Sequence, residues 1–252
     1  HYRPDSELSR FNRHVQTTPF VVSDETFAVL AEADRISDWT KGAFDITVGP
    51  LVEAWGFGSA PRDEPPSDAL IEKLRERLGF SRLRLDPEAH TVQKNEPRLE
   101  GNLSALAKGY AVDRVAEALE SAGFSRYMVE VGGEVRTGGY NEDGGPWQIA
   151  VERPDAGVRS LRTIVPLTNA SMATSGDYRN FYEWKGERFS HTIDPRTGRP
   201  VNHALASVTV VSRMCMTADA LATALLVLGP EDGYRFAVAN DVASLMVVRQ
   251  LD

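Results

Sequence analysis

Between Ala218 and Leu228 almost every position is apolar, and only Asp219 and Thr223 interrupt the run. Thr217 ahead of it is a good N-cap and Gly229-Pro230 behind it a good stop, so the pattern predicts a helix of about three turns. A helix that is apolar on every face has no side to give to solvent and belongs inside. Asp219 and Thr223 stand four apart, which sets their oxygens on one face of the first turns. An unpartnered buried carboxylate is strongly unfavourable, so Asp219 needs hydrogen bonds, a counter-charge or a cation. Two resolutions are open. Asp in a first turn is favoured by the helix dipole, and a mid-helix Thr back-bonds to the preceding turn. Alternatively the oxygen-only pair holds a hard cation such as Mg2+, which keeps waters and takes phosphate oxygens from a substrate.

Upstream, the opening stretch to Asn12 is polar, with Ser6 or Ser9 able to start a turn. Asp24 to about Lys41 reads as a helix capped by Ser23 and stopped by Gly42. Arg62 to Pro66 is a charged, Pro-rich loop. Ser67 caps a short helix with Leu70, Ile71, Leu74 and Leu78 on one face, ended by Gly79. Leu83-Arg84-Leu85 and Thr91-Val92-Gln93 form a hairpin around Asp86-Pro87-Glu88. Small residues from Gly101 open a helix whose later apolar face is Val112, Val115, Ala116 and Leu119, stopped by Gly123.

From Arg126 the period falls to that of strands. Tyr127–Val131 runs into Gly132-Gly133, a pair that implies close backbone approach or an unusual dihedral. Trp147–Glu152 and Leu161–Leu167 follow, with a turn from Asn141 to Gly145. Ala173 to Tyr178 reads as a small-residue loop. Phe181–Trp184 pairs with Arg188–Ile193 across Lys185-Gly186. Ala206–Val211 feeds the buried helix, and a helix near Glu231–Ala239 and a strand at Ser244–Val248 close the chain. Hairpins without alternating helices predict an α+β fold with mixed or antiparallel sheets, not a parallel βαβ sheet.

Composition narrows the partners. The 252 residues carry a net charge of -8, which argues against nucleic acid or an anionic membrane surface. A phosphate-bearing ligand would then need a cation, a helix N-terminus or a few placed basic residues. The single cysteine, Cys215, leaves no internal disulfide. No run is long and apolar enough to span a bilayer. The chain opens without Met or a signal-like segment, as a processed or trimmed protein would.

Three stretches carry further chemistry. Trp55-Gly56-Phe57-Gly58 is either an aromatic wall for a flat ring system or ordinary core. The entry near Ser104 to Leu106 presents backbone N–H groups and the positive end of a helix dipole to an anion. Lys108, one turn in, either reaches a phosphate or is solvated. His191 follows Ser190 at a strand end entering the Asp194-Pro195 turn, a position suited to general acid/base work. Asp194 there is equally an ordinary turn residue.

Several stretches in consistent order resemble the ApbE-like FAD:protein FMN transferases. They are Tyr2–Asn12, Gly42–Leu51 with Trp55–Gly58, Asn102–Asp113, Val129–Glu134, Ala173–Tyr178, Ser190–Gly198 and Ala218–Thr223. The resemblance covers essentially the whole chain, and implies a single T-fold-like α+β domain, residues 1–252, without the family's usual opening strand. It implies a Mg2+-dependent enzyme that takes FAD, joins its FMN half through phosphate to a Thr or Ser hydroxyl of an acceptor flavoprotein, and releases AMP. Asp219 and Thr223 match the family's metal ligands, with the backbone of Ala105 as the third. His191 matches the active-site histidine, so His191 and Asp219 are the expected catalytic residues. Trp55, Gly56, Phe57, Asn102, Lys108, Ser190 and His191 are the expected contacts to FAD, with Asn102 standing where many relatives carry Asp. Family members act on flavin-carrying subunits of respiratory or electron-transfer complexes, so a periplasmic protein, either free or lipid-anchored to the inner membrane, is expected. A metal-dependent FAD pyrophosphatase and a non-catalytic flavin-binding module are the alternatives.

Overall fold

A computed structural model of the protein describes residues 3–62, 64–154, 161–178 and 180–249. Tyr2 of the first matched stretch and Asp63 of the Arg62–Pro66 loop lie outside the described residues. The chain divides into two compact units, His1–Ser104 with Asn180–Asn202, and Ala105–Arg179 with His203–Asp252.

In the first unit serines start the helices as expected. Ser6, Ser23 and Ser67 accept the N–H groups of Ser9, Thr26 and Leu70 at the heads of Glu7–Arg13, Asp24–Trp39 and Asp68–Arg75. The last of these stops at Arg75, before Gly79, whose φ of +124° lies beyond the helix end. Its apolar face puts Ile71 and Leu74 into a core with Leu51, Trp55, Ile193 and Leu78 just beyond the helix end. The predicted hairpin is present as Leu83–Asp86 against Thr91–Lys94, and Phe20–Val21 adds a third strand on the far side of Thr91–Lys94. Lys94 is fully buried, and its ammonium donates to the carbonyls of Phe11, Asn12 and Leu99 at 3.2, 3.1 and 2.9 Å. Main-chain oxygens thus stand in for the water that burial removes. Phe181–Trp184 pairs with Glu187–Ser190, and Ile193–Asp194 with Arg199–Pro200.

In the second unit the described strands form an antiparallel sheet in the order Ser244–Val248, Leu205–Ser212, Ser171–Gly176, Glu134–Gly138, Tyr127–Val131. Trp147–Glu152 and Leu161–Leu167 pair with each other in a separate ladder. Helices Ala107–Ser121 and Cys215–Ala239 pack on the five-stranded sheet and on each other. The expected α+β class with antiparallel hairpins is what the chain adopts. Among the described residues no helix is long and apolar enough to cross a membrane.

Four local expectations are corrected. Thr217 does not cap the buried helix, which begins at Cys215 after Met214. Its first N–H groups are taken by a carboxylate distant in sequence, that of Asp113. Ala173 to Tyr178 is not a loop, because Ser171–Gly176 is an interior strand of the sheet. Its small side chains suit a strand on which a helix must seat closely. Glu134–Gly138 is a strand that alternation did not signal, entered through Gly132 and Gly133 at φ +65° and +102°, where a left-handed turn needs glycine. Val115 is 46% exposed, so the apolar face of its helix is narrower than the spacing suggested. The all-round burial of Ala218 to Val227 holds except at the half-buried Thr223, and Gly229, at φ +82°, breaks the helix where a stop was expected.

Candidate functional site

The second unit holds a buried cluster of charge around Asp219, which is 3% exposed. Its Oδ2 accepts the backbone N–H of Gly109 at 3.1 Å, in the first turn of the Ala107–Ser121 helix. The carboxylate therefore lies at the positive end of that helix's dipole, where negative charge is favoured. Lys108 pairs with Glu134, whose side chain is 3% exposed, and stands 3.8 Å from Asp219 Oδ1. The Asp219 carboxyl is raised to about 7 on balance: burial pushes it up most, the Lys108 ammonium opposes that, Glu134 adds to it, and the Gly109 N–H lowers it. Thr223, one turn on, shares a 3.0 Å hydrogen bond with Ser175 of the sheet. Ala105 lies in the turn just before the same helix start. Asp219, Lys108 and the helix entry are thus brought together.

These residues fit a hard cation. Asp219 and Glu134 both approach the Lys108 ammonium in a largely enclosed place. Burial above all raises the Asp219 carboxyl, and a cation beside it would favour its charged form. Among the described residues no three His, Cys, Asp or Glu side chains gather as a metal cluster. A cation at Asp219 would accordingly draw on hydroxyl and main-chain oxygens and on the phosphates of its substrate, the habit of Mg2+. Cys215, buried beside Asp113, Asp219 and Glu134, has its thiol pushed far up by burial and by those charges, which keeps it protonated and unreactive.

The entry amides are less available to an anion than expected. The N–H of Ser104 goes to Asn102 Oδ1 at 3.0 Å, and that of Gly109 to Asp219.

The first unit holds the remaining candidates. His191 follows the strand Glu187–Ser190, and both its backbone N–H and its Nδ1 lie 3.1 Å from the carbonyl of Asn180. A carbonyl can only accept, so Nδ1 carries the proton in the neutral ring and the lone pair lies on Nε2. The Phe57 ring meets the His191 ring edge-on with centroids 6.3 Å apart, and also packs against Tyr182 at 5.3 Å. Trp55 is 2% exposed, donates from Nε1 to Gly198 O at 2.9 Å and stacks on Phe189. It supports the aromatic cluster from within rather than offering an open face. Gly56 turns the chain at φ +84°, with the Arg62 backbone so near that a Cβ would lie 2.4 Å from its oxygen. The Asn102 N–H donates to Ile46 O at 2.7 Å. Buried Ser190 accepts the N–H of Thr192 at 3.2 Å.

Three residues of these surroundings, Asp113, Glu134 and Ser175, lie within matched stretches without an expected role of their own. Asp113 interrupts the apolar face of its helix in the same way that Asp219 interrupts its own, and that signal was there to find. Glu134 and Ser175 became visible only once the sheet had set them beside the helices.

A protein-family model described as the ApbE family matches residues 1–246. A relative in Vibrio cholerae named FAD:protein FMN transferase is 49% identical over 252 residues, covering 100% of this chain and 75% of its own length. One of the same name in Escherichia coli K12 is 40% identical, covering 100% of this chain and 72% of the relative. The solved structure of the flavin transferase ApbE from Vibrio cholerae superposes with a TM-score of 0.90 at 47% identity, covering 99% of this chain and 79% of that one.

Proposed function

Because the chain belongs to the ApbE family and is a flavin transferase that moves FMN from FAD onto a protein, we propose that it works with Mg2+, uses a Thr or Ser hydroxyl of the acceptor and releases AMP. The observation that carries this reading is the buried Asp219, held at a helix N-terminus with Lys108 and Glu134 beside it and Thr223 one turn on. Asp219, the Thr223 hydroxyl and the main chain at Ala105 would hold the cation. When bound, it would neutralise charge on the FAD diphosphate and on the departing phosphate.

The remaining chemistry falls to side chains. Lys108 supplies a fixed positive charge to the diphosphate. Phe57 supplies an aromatic face in the first unit, beside His191. The acceptor hydroxyl oxygen forms a bond to the phosphorus of the FMN half, and the bond from that phosphorus to the oxygen of AMP breaks. His191, with its lone pair on Nε2, takes the hydroxyl proton, and AMP leaves with the bridging oxygen. The acceptor we infer is a flavin-carrying subunit of an electron-transfer complex outside the cytoplasm, as the resemblance implies.

Intact-mass analysis of such a subunit, incubated with the chain, FAD and Mg2+, tests this reading. An added FMN that disappears with EDTA supports it. AMP and free FMN appearing without any modified acceptor would instead make the protein a pyrophosphatase.

A further inference from the structure

The two helices of the second unit grip each other at two points, and each grip is a carboxylate on backbone N–H groups. Asp219 of the later helix accepts the N–H of Gly109 at 3.1 Å, in the first turn of the earlier one. Asp113 of the earlier helix accepts the N–H groups of Cys215 and Met216 at 2.9 Å each, in the first turn of the later one. Each helix thus caps the other. No side chain of the later helix's own N-cap residue, Met214, makes a cap bond.

Asp113 is 1% exposed and also accepts Arg136 Nη1 at 2.9 Å, while Arg136 Nη2 reaches Glu120 at 3.2 Å. Burial works to lower the pKa of the Arg136 guanidinium, but the hydrogen bond and charge of Asp113, with Tyr127 nearby, outweigh it and hold it above its ordinary value. The Asp113 carboxylate therefore has three donors fixed in direction. The approach is close: a Cβ on Gly109 would lie 2.4 Å from the carbonyl oxygen of Cys215.

From this arrangement we propose that Asp113 is a positioning residue for metal binding, setting the register of the Cys215 helix so that Asp219 and Thr223 present their oxygens in a fixed geometry. The inference rests on the metal reading of Asp219 given above. Asp113 touches neither substrate nor metal in this role. It acts through the helix start one turn ahead of Asp219, as an outer partner orients a ligand, and loss of such partners typically weakens metal affinity by about 10- to 100-fold.

The test measures Mg2+ binding by calorimetry with FAD saturating, and the Mg2+ dependence of FMN transfer, for wild type, Asp113→Asn and Asp113→Ala. Thermal melting of each variant reports the folded fraction. The expected result is an Mg2+ dissociation constant raised about tenfold in Asp113→Asn and further in Asp113→Ala. Half-saturating Mg2+ in turnover should rise in parallel, with most of the maximal rate recovered at high Mg2+. A purely structural role would lower the melting temperature and the maximal rate while leaving half-saturating Mg2+ unchanged, and that outcome overturns the proposal. If Asp113→Ala does not fold, the isosteric Asp113→Asn decides by the same readout. Wild-type protein that binds no Mg2+ would remove the metal reading itself, and this inference with it. Wild-type binding with an unaltered Asp113→Asn constant would remove the inference alone.

Discussion

Asp219 Oδ2 receives the backbone N–H of Gly109 at 3.1 Å, joining a residue near the head of one helix to the first turn of another. The bond answers the question that the apolar run around Asp219 raises, namely what compensates a carboxylate there. Part of the compensation is a helix dipole and part is Lys108, which also pairs with Glu134.

Gly109→Ala tests how tightly this junction is packed. In an ordinary helix interior the change stabilises by about 1 kcal/mol. Here the new methyl would meet Cys215 O at 2.4 Å and Cys215 C at 2.6 Å. The variant should be destabilised by about 1–3 kcal/mol, the usual penalty for overpacking, read as a lower urea midpoint. A raised midpoint would mean that the helices have room to part.

His191→Ala should slow transfer about 10²- to 10⁴-fold at saturating FAD while leaving the FAD dissociation constant nearly intact. The basis is the 3.1 Å contact of Nδ1 with Asn180 O, which places the lone pair on Nε2. Recovery of full turnover at high FAD would make His191 a binding residue and take it out of the proton transfer.

The first unit carries a pH-dependent contact. Burial works to raise the Glu7 carboxyl, but the hydroxyls of Thr26 and Ser23 and the Ser23 N–H outweigh it and hold it below the ordinary 4.5. A carboxyl depressed in the folded state contributes stability above its unfolded pKa and loses it as pH falls through the folded value. Urea midpoints of wild type and Glu7→Gln should therefore differ at pH 7 and converge below about pH 4.5. A difference that stays constant through that window would show that Glu7 acts without its charge.

The sequence made some of this legible and hid the rest for physical reasons. Helices headed by Ser23 and Ser67, and the buried run after Ala218, were readable because capping and periodicity are local. The start of the Cys215 helix was not, because its cap is Asp113, about a hundred positions away, and Thr217 offered a plausible local substitute. Ser171–Gly176 was hidden by its small residues, whose service to an overlying helix is a tertiary matter. Lys94, satisfied entirely by carbonyls, carries no pattern that marks it as buried. At the candidate site Asp219, Thr223 and His191 stood out as polar interruptions in apolar or strand contexts, whereas Trp55 proved to be core with its indole N–H committed to Gly198.

Asp219→Ala should abolish FMN transfer, and intact-mass analysis of an acceptor subunit measures this. Wild type and Asp219→Ala, each confirmed folded by melting, are incubated with FAD, Mg2+ and the acceptor. Wild type should add one FMN per modified hydroxyl with matching release of AMP, and Asp219→Ala should add none. Mg2+-dependent modification by Asp219→Ala at near the wild-type rate would contradict it and leave the carboxylate as no more than the partner of the Gly109 N–H.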